Sequence, residues 1–204
     1  MSKKTNVFKT QKDLNILKAA LTVFASYGLQ GASLEKIAEV AKVSKSNLLY
    51  YFESKEVLYI AVLSSVLEEW LSPLDYFCEK SNPKQVLEQY IEMKYKMSKE
   101  NPEASRLYAL EMIQGAPYLT DVLKKHLKPR LKQKILTVNK WIEQGRLKPI
   151  SPLHLILHIW AITQHYADFS FQIKVISGQT LTNKAFKQSA IETTKKVLVE
   201  GLIL

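Results

Sequence analysis

Apolar positions in this chain recur at intervals of three and four rather than two, so the sequence predicts an all-α protein. The first stripe, Leu14, Leu17, Leu21 and Phe24, predicts a helix over 13–27, with Gly28 placed to end it. Leu34, Ile37, Ala38 and Ala41 predict a second helix over 33–41, followed by a turn through Lys42 and Val43 and a third helix over 44–52. Ser33 and Ser44 stand where N-caps belong, because a serine oxygen accepts from a free N–H of the first turn. Leu48 and Phe52, four apart, anchor the third helix inward and leave Lys45, Ser46, Asn47, Tyr50 and Tyr51 outside. One charge, small hydrogen-bonding groups and phenols suit a DNA groove flanked by phosphates. Two short helices joined in this way predict a helix-turn-helix, completed by the first helix as a three-helix head.

A fourth helix restarts after Glu53, Ser54 and Lys55, with Ser54 as N-cap and Val57, Leu58, Ala61, Val62 and Ser65 facing inward. Lys55 lies in its first turn, where backbone N–H groups and the helix dipole favour phosphate. The helix is expected to reach about Asp75, with a kink at Pro73 preferred over an end there because Leu74, Tyr76 and Phe77 continue the apolar content. Its continuity would let a swing near Trp70 move the head. Further helices are predicted over 85–99, 103–114 and 118–143, the last bent at Pro129, with breaks at Asn101-Pro102 and Gly115-Ala116-Pro117 and a loop over 145–152. Two helices close the chain. The one over 153–176 is apolar nearly all round at its start, so both faces need covering, and the one over 182–200 carries Phe186, Ala190, Thr193 and Val197 on one face.

Composition narrows the function classes. With 204 residues, 47% of them hydrophobic, the chain is an ordinary globular one. No apolar run approaches a membrane span, and the start lacks the apolar core of a signal peptide, so a cytoplasmic protein is expected. Cys78 is the sole cysteine, which excludes an intrachain disulfide and reads as buried filler. The net charge of +10 is unevenly spread: residues 1–55 hold nine lysines against four acidic residues, a density that the remaining chain does not match. Lys3, Lys4, Lys9 and Lys12 read either as a solubilising tail or, beside a helix-turn-helix, as a phosphate-tracking arm.

Candidate chemistry lies in the second part. His154 and His158 have a helical metal-ligand spacing, with His165 and Asp168 further on, but helical histidine pairs are more often surface or cap residues and no metal is expected. There is no G-x-S-x-G, Walker A or G-x-G-x-x-G motif, and neither an enzyme nor a cofactor is expected. Trp160 and Gln164 are one turn apart on one face of an apolar segment, and with Trp70 they could wall a pocket for a small planar polar ligand. The plainer alternative packs both tryptophans in the core and pairs Gln164 with a backbone carbonyl. Spacing by itself favours the latter.

The head resembles the TetR family of one-component regulators. Phe24 and Gly28, then Ser33, Ile37, Ala38, Val43, Leu48, Phe52, Lys55, Glu56 and Leu58 match that family's pattern in order. Leu49 stands where the family has a tyrosine that touches phosphate, a contact that Tyr50 or Tyr51 could supply. Three stretches, 48–63, 104–117 and 159–169, are further similar to the Rut-type branch that controls pyrimidine utilisation. The resemblance implies a DNA-binding domain over 1–55 and a ligand-binding and dimerisation domain over 56–204. It implies a homodimer, paired through the last two long helices, on a near-palindromic operator, acting as a repressor released by uracil or thymine. By the same resemblance Lys55 touches the DNA backbone, and Trp70, Trp160 and Gln164 match the effector pocket. The full DNA-binding set expected is Ser33, Lys36, Ser44, Lys45, Ser46, Asn47, Tyr50, Tyr51 and Lys55. Two alternatives remain: a TetR-type regulator answering a lipid, drug or purine derivative, and a weakly specific DNA-coating protein.

Overall fold

In the computed structural model, which describes residues 11–203, the serine caps form as their positions require. Helix α1 (Gln11–Gly31) is interrupted at Gly28, where φ +65° and ψ 177° define a backbone conformation open essentially to glycine alone. A Cβ there would meet nothing within 4 Å, so conformation rather than space demands the glycine. Ser33 caps α2 (Leu34–Ala41) by accepting from Lys36 N at 3.2 Å, and Ser44 caps α3 (Lys45–Tyr51) by accepting from Asn47 N at 3.1 Å. The turn between them is built on Lys42 in the left-handed region, φ 55°, with its N–H on the last carbonyls of α2. Ser54 caps α4 (Lys55–Leu71) through Val57 N at 3.1 Å.

The chain divides into two units, residues 1–66 with 107–119, and residues 67–106 with 120–204. In the first, Ile16, Val23 and Phe24 of α1, Ile37 of α2 and Leu48 of α3 form the core with Leu58 and Tyr59 of α4. Leu14, expected in the inner stripe, is 49% exposed, and Ile16 takes the inward place with no exposure. Helix α6 (Pro102–Ile113) contributes its C-terminal half. There Glu111, 1% exposed, accepts from Tyr118 N at 2.7 Å, Leu119 N at 3.1 Å and the Tyr59 hydroxyl at 3.2 Å. These bonds close the Gly115–Pro117 break, where Ala116 is held at φ 56° despite the steric cost of the left-handed region for a side chain.

The second unit begins with the last turn of α4. Pro73 neither kinks that helix nor stops the winding: after Leu71 the chain tightens into a 3₁₀ turn over Ser72–Tyr76, which places Leu74 in the core. Helix α5 (Pro83–Glu100) buries Leu87, Tyr90, Ile91 and Tyr95. A short α7 (Thr120–Val122) widens into a π-helical stretch, Leu123–Leu127, and continues as α8 (Lys128–Glu143). The irregularity expected at Pro129 thus lies in the turn before it, consistent with the N–H that proline lacks. Trp141 of α8 stacks on Phe77, centroids 5.6 Å apart, and donates its Nε1–H to the carbonyls of Cys78 and Glu79 at 3.2 Å. Cys78 itself is exposed, not core filler. The helix expected over 153–176 is two, α9 (Pro152–Asp168) and α10 (Ser170–Ser177), separated at Phe169; α11 (Lys184–Leu198) follows. The described residues contain no β-strand beyond one isolated bridge, Leu147 with Ile203. The segment Lys55–Tyr76 has the length and apolar content of a membrane span, but 56% of that window is buried inside the protein, as in a core helix.

Candidate nucleic-acid interface and effector site

On α3, Leu48 and Phe52 are buried, at 0% and 5% exposure, while Lys45, Ser46 and Tyr50 are exposed and Asn47 and Tyr51 are half-buried. Tyr50 and Tyr51 meet edge to face, centroids 5.3 Å apart, so each phenol restrains its neighbour. The cap oxygens of Ser33 and Ser44 accept backbone bonds; the Ser33 hydroxyl also donates to the Glu35 carboxylate, while the Ser44 hydroxyl proton is left available to a phosphate oxygen. All three of the expected cations are already engaged. Lys45 Nζ lies 2.5 Å from Glu35, whose carboxyl it holds below the usual range, and Lys36 Nζ sits 3.8 Å from the centre of the Tyr27 ring. Both are exposed contacts of small worth that a phosphate could replace. Lys55 Nζ donates to Ala32 O at 3.0 Å, tying the start of α4 to the α1–α2 corner. Among the arm lysines, Lys3, Lys4 and Lys9 lie outside the described residues, as does the side chain of Lys12.

In the second unit, Trp70 is 7% exposed and Trp160 and Gln164 are half-buried on α9. Trp160 donates its Nε1–H to the Tyr90 hydroxyl, whose ionisation burial makes harder. Gln164 forms no hydrogen bond with any described residue; the backbone pairing of the plainer reading is not made. Lys94 of α5, which sequence reasoning missed, is 3% exposed with its Nζ 4.7 Å from the Trp70 ring centre. Burial pushes its pKa down to about 8, against a partial restoring pull from Asp168. Asp168 is itself raised by burial, opposed by the hydroxyl of Ser105 that donates to it. Tyr90, Lys94 and Ser98 lie four apart on α5, a spacing that fits a solvated face as well as a buried one and so gave no signal by itself.

His154 and His158 are exposed with ring centroids 6.3 Å apart, and His165 stacks on Phe169. The described residues hold no group of three metal-ligating side chains. A separate open groove of about 590 Å³ lies among α9, α10 and α11, lined by Ile162, Tyr166, Ile173, Ile176 and Phe186. Beside it Phe169, Phe171 and Val175 are exposed, at 52%, 80% and 71%.

Comparison with known proteins places this arrangement. Residues 16–62 match the family of bacterial regulatory proteins, tetR family, and residues 63–204 match the YcdC-like protein, C-terminal region. The chain belongs to the TetR family. It is 46% identical over 187 residues, 92% of this chain and 88% of the relative, to the HTH-type transcriptional regulator RutR of Escherichia coli K12. Among solved structures, the putative transcriptional regulator SCO4942 of Streptomyces coelicolor matches with a TM-score of 0.72 at 20% identity, over 93% of this chain and 99% of that one. The fatty acid degradation regulator FadR of Bacillus halodurans matches at 0.70 and 19%, over 96% and 98%. At such identities the structural likeness concerns the fold. TetR-family regulators bind DNA and small-molecule effectors and act as dimers, and this TetR protein is accordingly a transcriptional regulator rather than an enzyme.

Proposed function

We propose that this TetR protein is a cytoplasmic repressor of pyrimidine-utilisation genes whose dimer leaves a near-palindromic operator when uracil or thymine binds. The carrying observation is the amide of Gln164, half-buried one turn from Trp160 and without a hydrogen-bond partner among the described residues, in a chain 46% identical to RutR. An amide offers both donors and an acceptor, which matches the alternating imide edge of a pyrimidine, and the indoles of Trp70 and Trp160 offer flat walls. A fatty acyl chain, by contrast, would leave the amide unanswered.

In this reading Lys45, Ser46, Asn47, Tyr50 and Tyr51 face the major groove, and Ser33, Lys36, Ser44 and Lys55 hold phosphates. The two-sided apolar character of α9 with α11, and the exposed apolar face of α10, suit pairing with a second copy. Helix α4 carries Lys55 in its first turn and Trp70 in its last, so one element serves both tasks. The effector shifts DNA binding only as far as it prefers one conformation of the dimer over the other.

Thermal melting of the purified dimer against uracil, thymine, cytosine, purines and fatty acids tests the reading. A rise in Tm with uracil or thymine, lost in Gln164→Ala, is expected. A rise with fatty acids or purines alone would retire the pyrimidine assignment.

A further inference from the structure

Among the described residues the buried polar side chains of the second unit are Lys94, Ser98, Ser105, Thr163 and Thr194. Ser98 donates to Thr163 O at 2.9 Å, Thr163 to Ile159 O at 2.7 Å, Ser105 to Asp168, and Thr194 shares a bond with Tyr95 at 2.8 Å. Lys94 alone of the five has neither a hydrogen bond nor an ion pair with a described residue. An ammonium carries three donors, and in a residue only 3% exposed it has little access to water, so an acceptor brought beside it would find donors to answer it.

Its neighbours say what kind. Tyr90, Lys94 and Ser98 share one face of α5; Tyr90 is bonded to the Trp160 indole and Ser98 to Thr163 O, so Lys94 between them faces the turn of α9 that bears Trp160, Thr163 and Gln164. The Trp70 ring lies 4.7 Å from Nζ, and the Asp168 carboxylate, which attracts the ammonium, is held by Ser105. We infer that Lys94 anchors the effector, its ammonium donating to a ring carbonyl oxygen of a planar heterocycle held beside Trp70, while Gln164 meets the adjoining N–H and C=O edge. The inference rests on the pyrimidine reading and adds to it the residue that distinguishes an oxo-pyrimidine from a ring lacking that oxygen. Polar recognition of this kind discriminates strongly, because the analogue leaves the buried donor unpaired.

The test is calorimetric titration of the full-length dimer, wild type and Lys94→Met, with uracil and with pyrimidin-2-one and pyrimidin-4-one, which each lack one of its two carbonyl oxygens. Uracil affinity is expected to fall at least tenfold in Lys94→Met. One of the two analogues should bind wild type correspondingly weakly yet lose nothing further in the variant, because oxygen and ammonium form a single contact. Lys94→Gln, which keeps a shorter donor, should recover part of the loss and provides the same cycle if the methionine variant does not fold. Uracil binding unchanged in a folded Lys94→Met, or additive losses for both analogues, overturns the role of Lys94 and leaves the pyrimidine reading standing. Wild type that binds neither uracil nor either analogue, while another effector stabilises it, overturns both.

Discussion

The Trp160 indole donates to the Tyr90 hydroxyl across 70 residues of sequence, joining α9 to α5 beside the buried Lys94. Tyr90→Phe removes the acceptor and leaves the indole N–H to find water or none. The expected loss is about 1–2 kcal/mol of unfolding free energy, seen as a Tm lower by roughly 2–8 °C, with a change in tryptophan emission in the folded state. A variant with wild-type melting and emission would show that the bond contributes nothing.

Glu111 is the opposite kind of buried charge, one fully answered. Glu111→Ala would strip Tyr118 N, Leu119 N and the Tyr59 hydroxyl of their shared acceptor and release the left-handed Ala116. Urea unfolding should report a loss of about 3–5 kcal/mol, the range for removing one partner from a buried charge network. A loss under about 1 kcal/mol would mean that the loop re-pairs its donors elsewhere.

Lys94 makes stability depend on alkaline pH. The unfolded chain keeps this proton to about pH 10.4, whereas the folded protein releases it near about 8, so the unfolded state binds more protons in between and stability rises with pH across that window. Asp168 pulls against the shift, and Arg106 and His165 act on Asp168 in turn. Lys94→Met should be more stable than wild type at pH 7, by on the order of 3 kcal/mol, with the difference shrinking toward pH 10. A difference independent of pH would place the lysine in water.

Glu35 holds Lys45 in an exposed ion pair, and with Lys45 on DNA as proposed the carboxylate would compete for it. Because an exposed ion pair is worth little, Glu35→Gln should leave folding unchanged and raise affinity for any duplex a few-fold at low salt. Lys45→Ala should reduce the slope of log affinity against log salt by about one, while Asn47→Ala relaxes base preference at one position. Uniform losses on every sequence for both variants would contradict this division.

The helix-turn-helix was legible because caps, turn and apolar anchors are local: Ser33, Ser44, Leu48 and Phe52 occupy the places their spacing requires. The first helix was legible in extent but not in face, since Leu14 and Ile16 lie two apart and tertiary packing chose Ile16. Lys94 was illegible for a different reason. A lysine flanked by Tyr95 and Lys96 reads as a solvated face, and only the bonds from Tyr90 and Ser98 to α9 reveal that this face is inside. The division at Phe169 and the 3₁₀ turn at Pro73 likewise depend on packing that no local pattern records.

The central claim is a pyrimidine-controlled hold on DNA. Duplexes selected from a random pool by the purified protein, labelled and followed by fluorescence anisotropy with and without uracil, test it most directly. The account predicts a near-palindromic consensus and a loss of affinity of at least tenfold when uracil or thymine is added, absent in Gln164→Ala. Tight binding to the selected duplex that neither pyrimidine alters would contradict it.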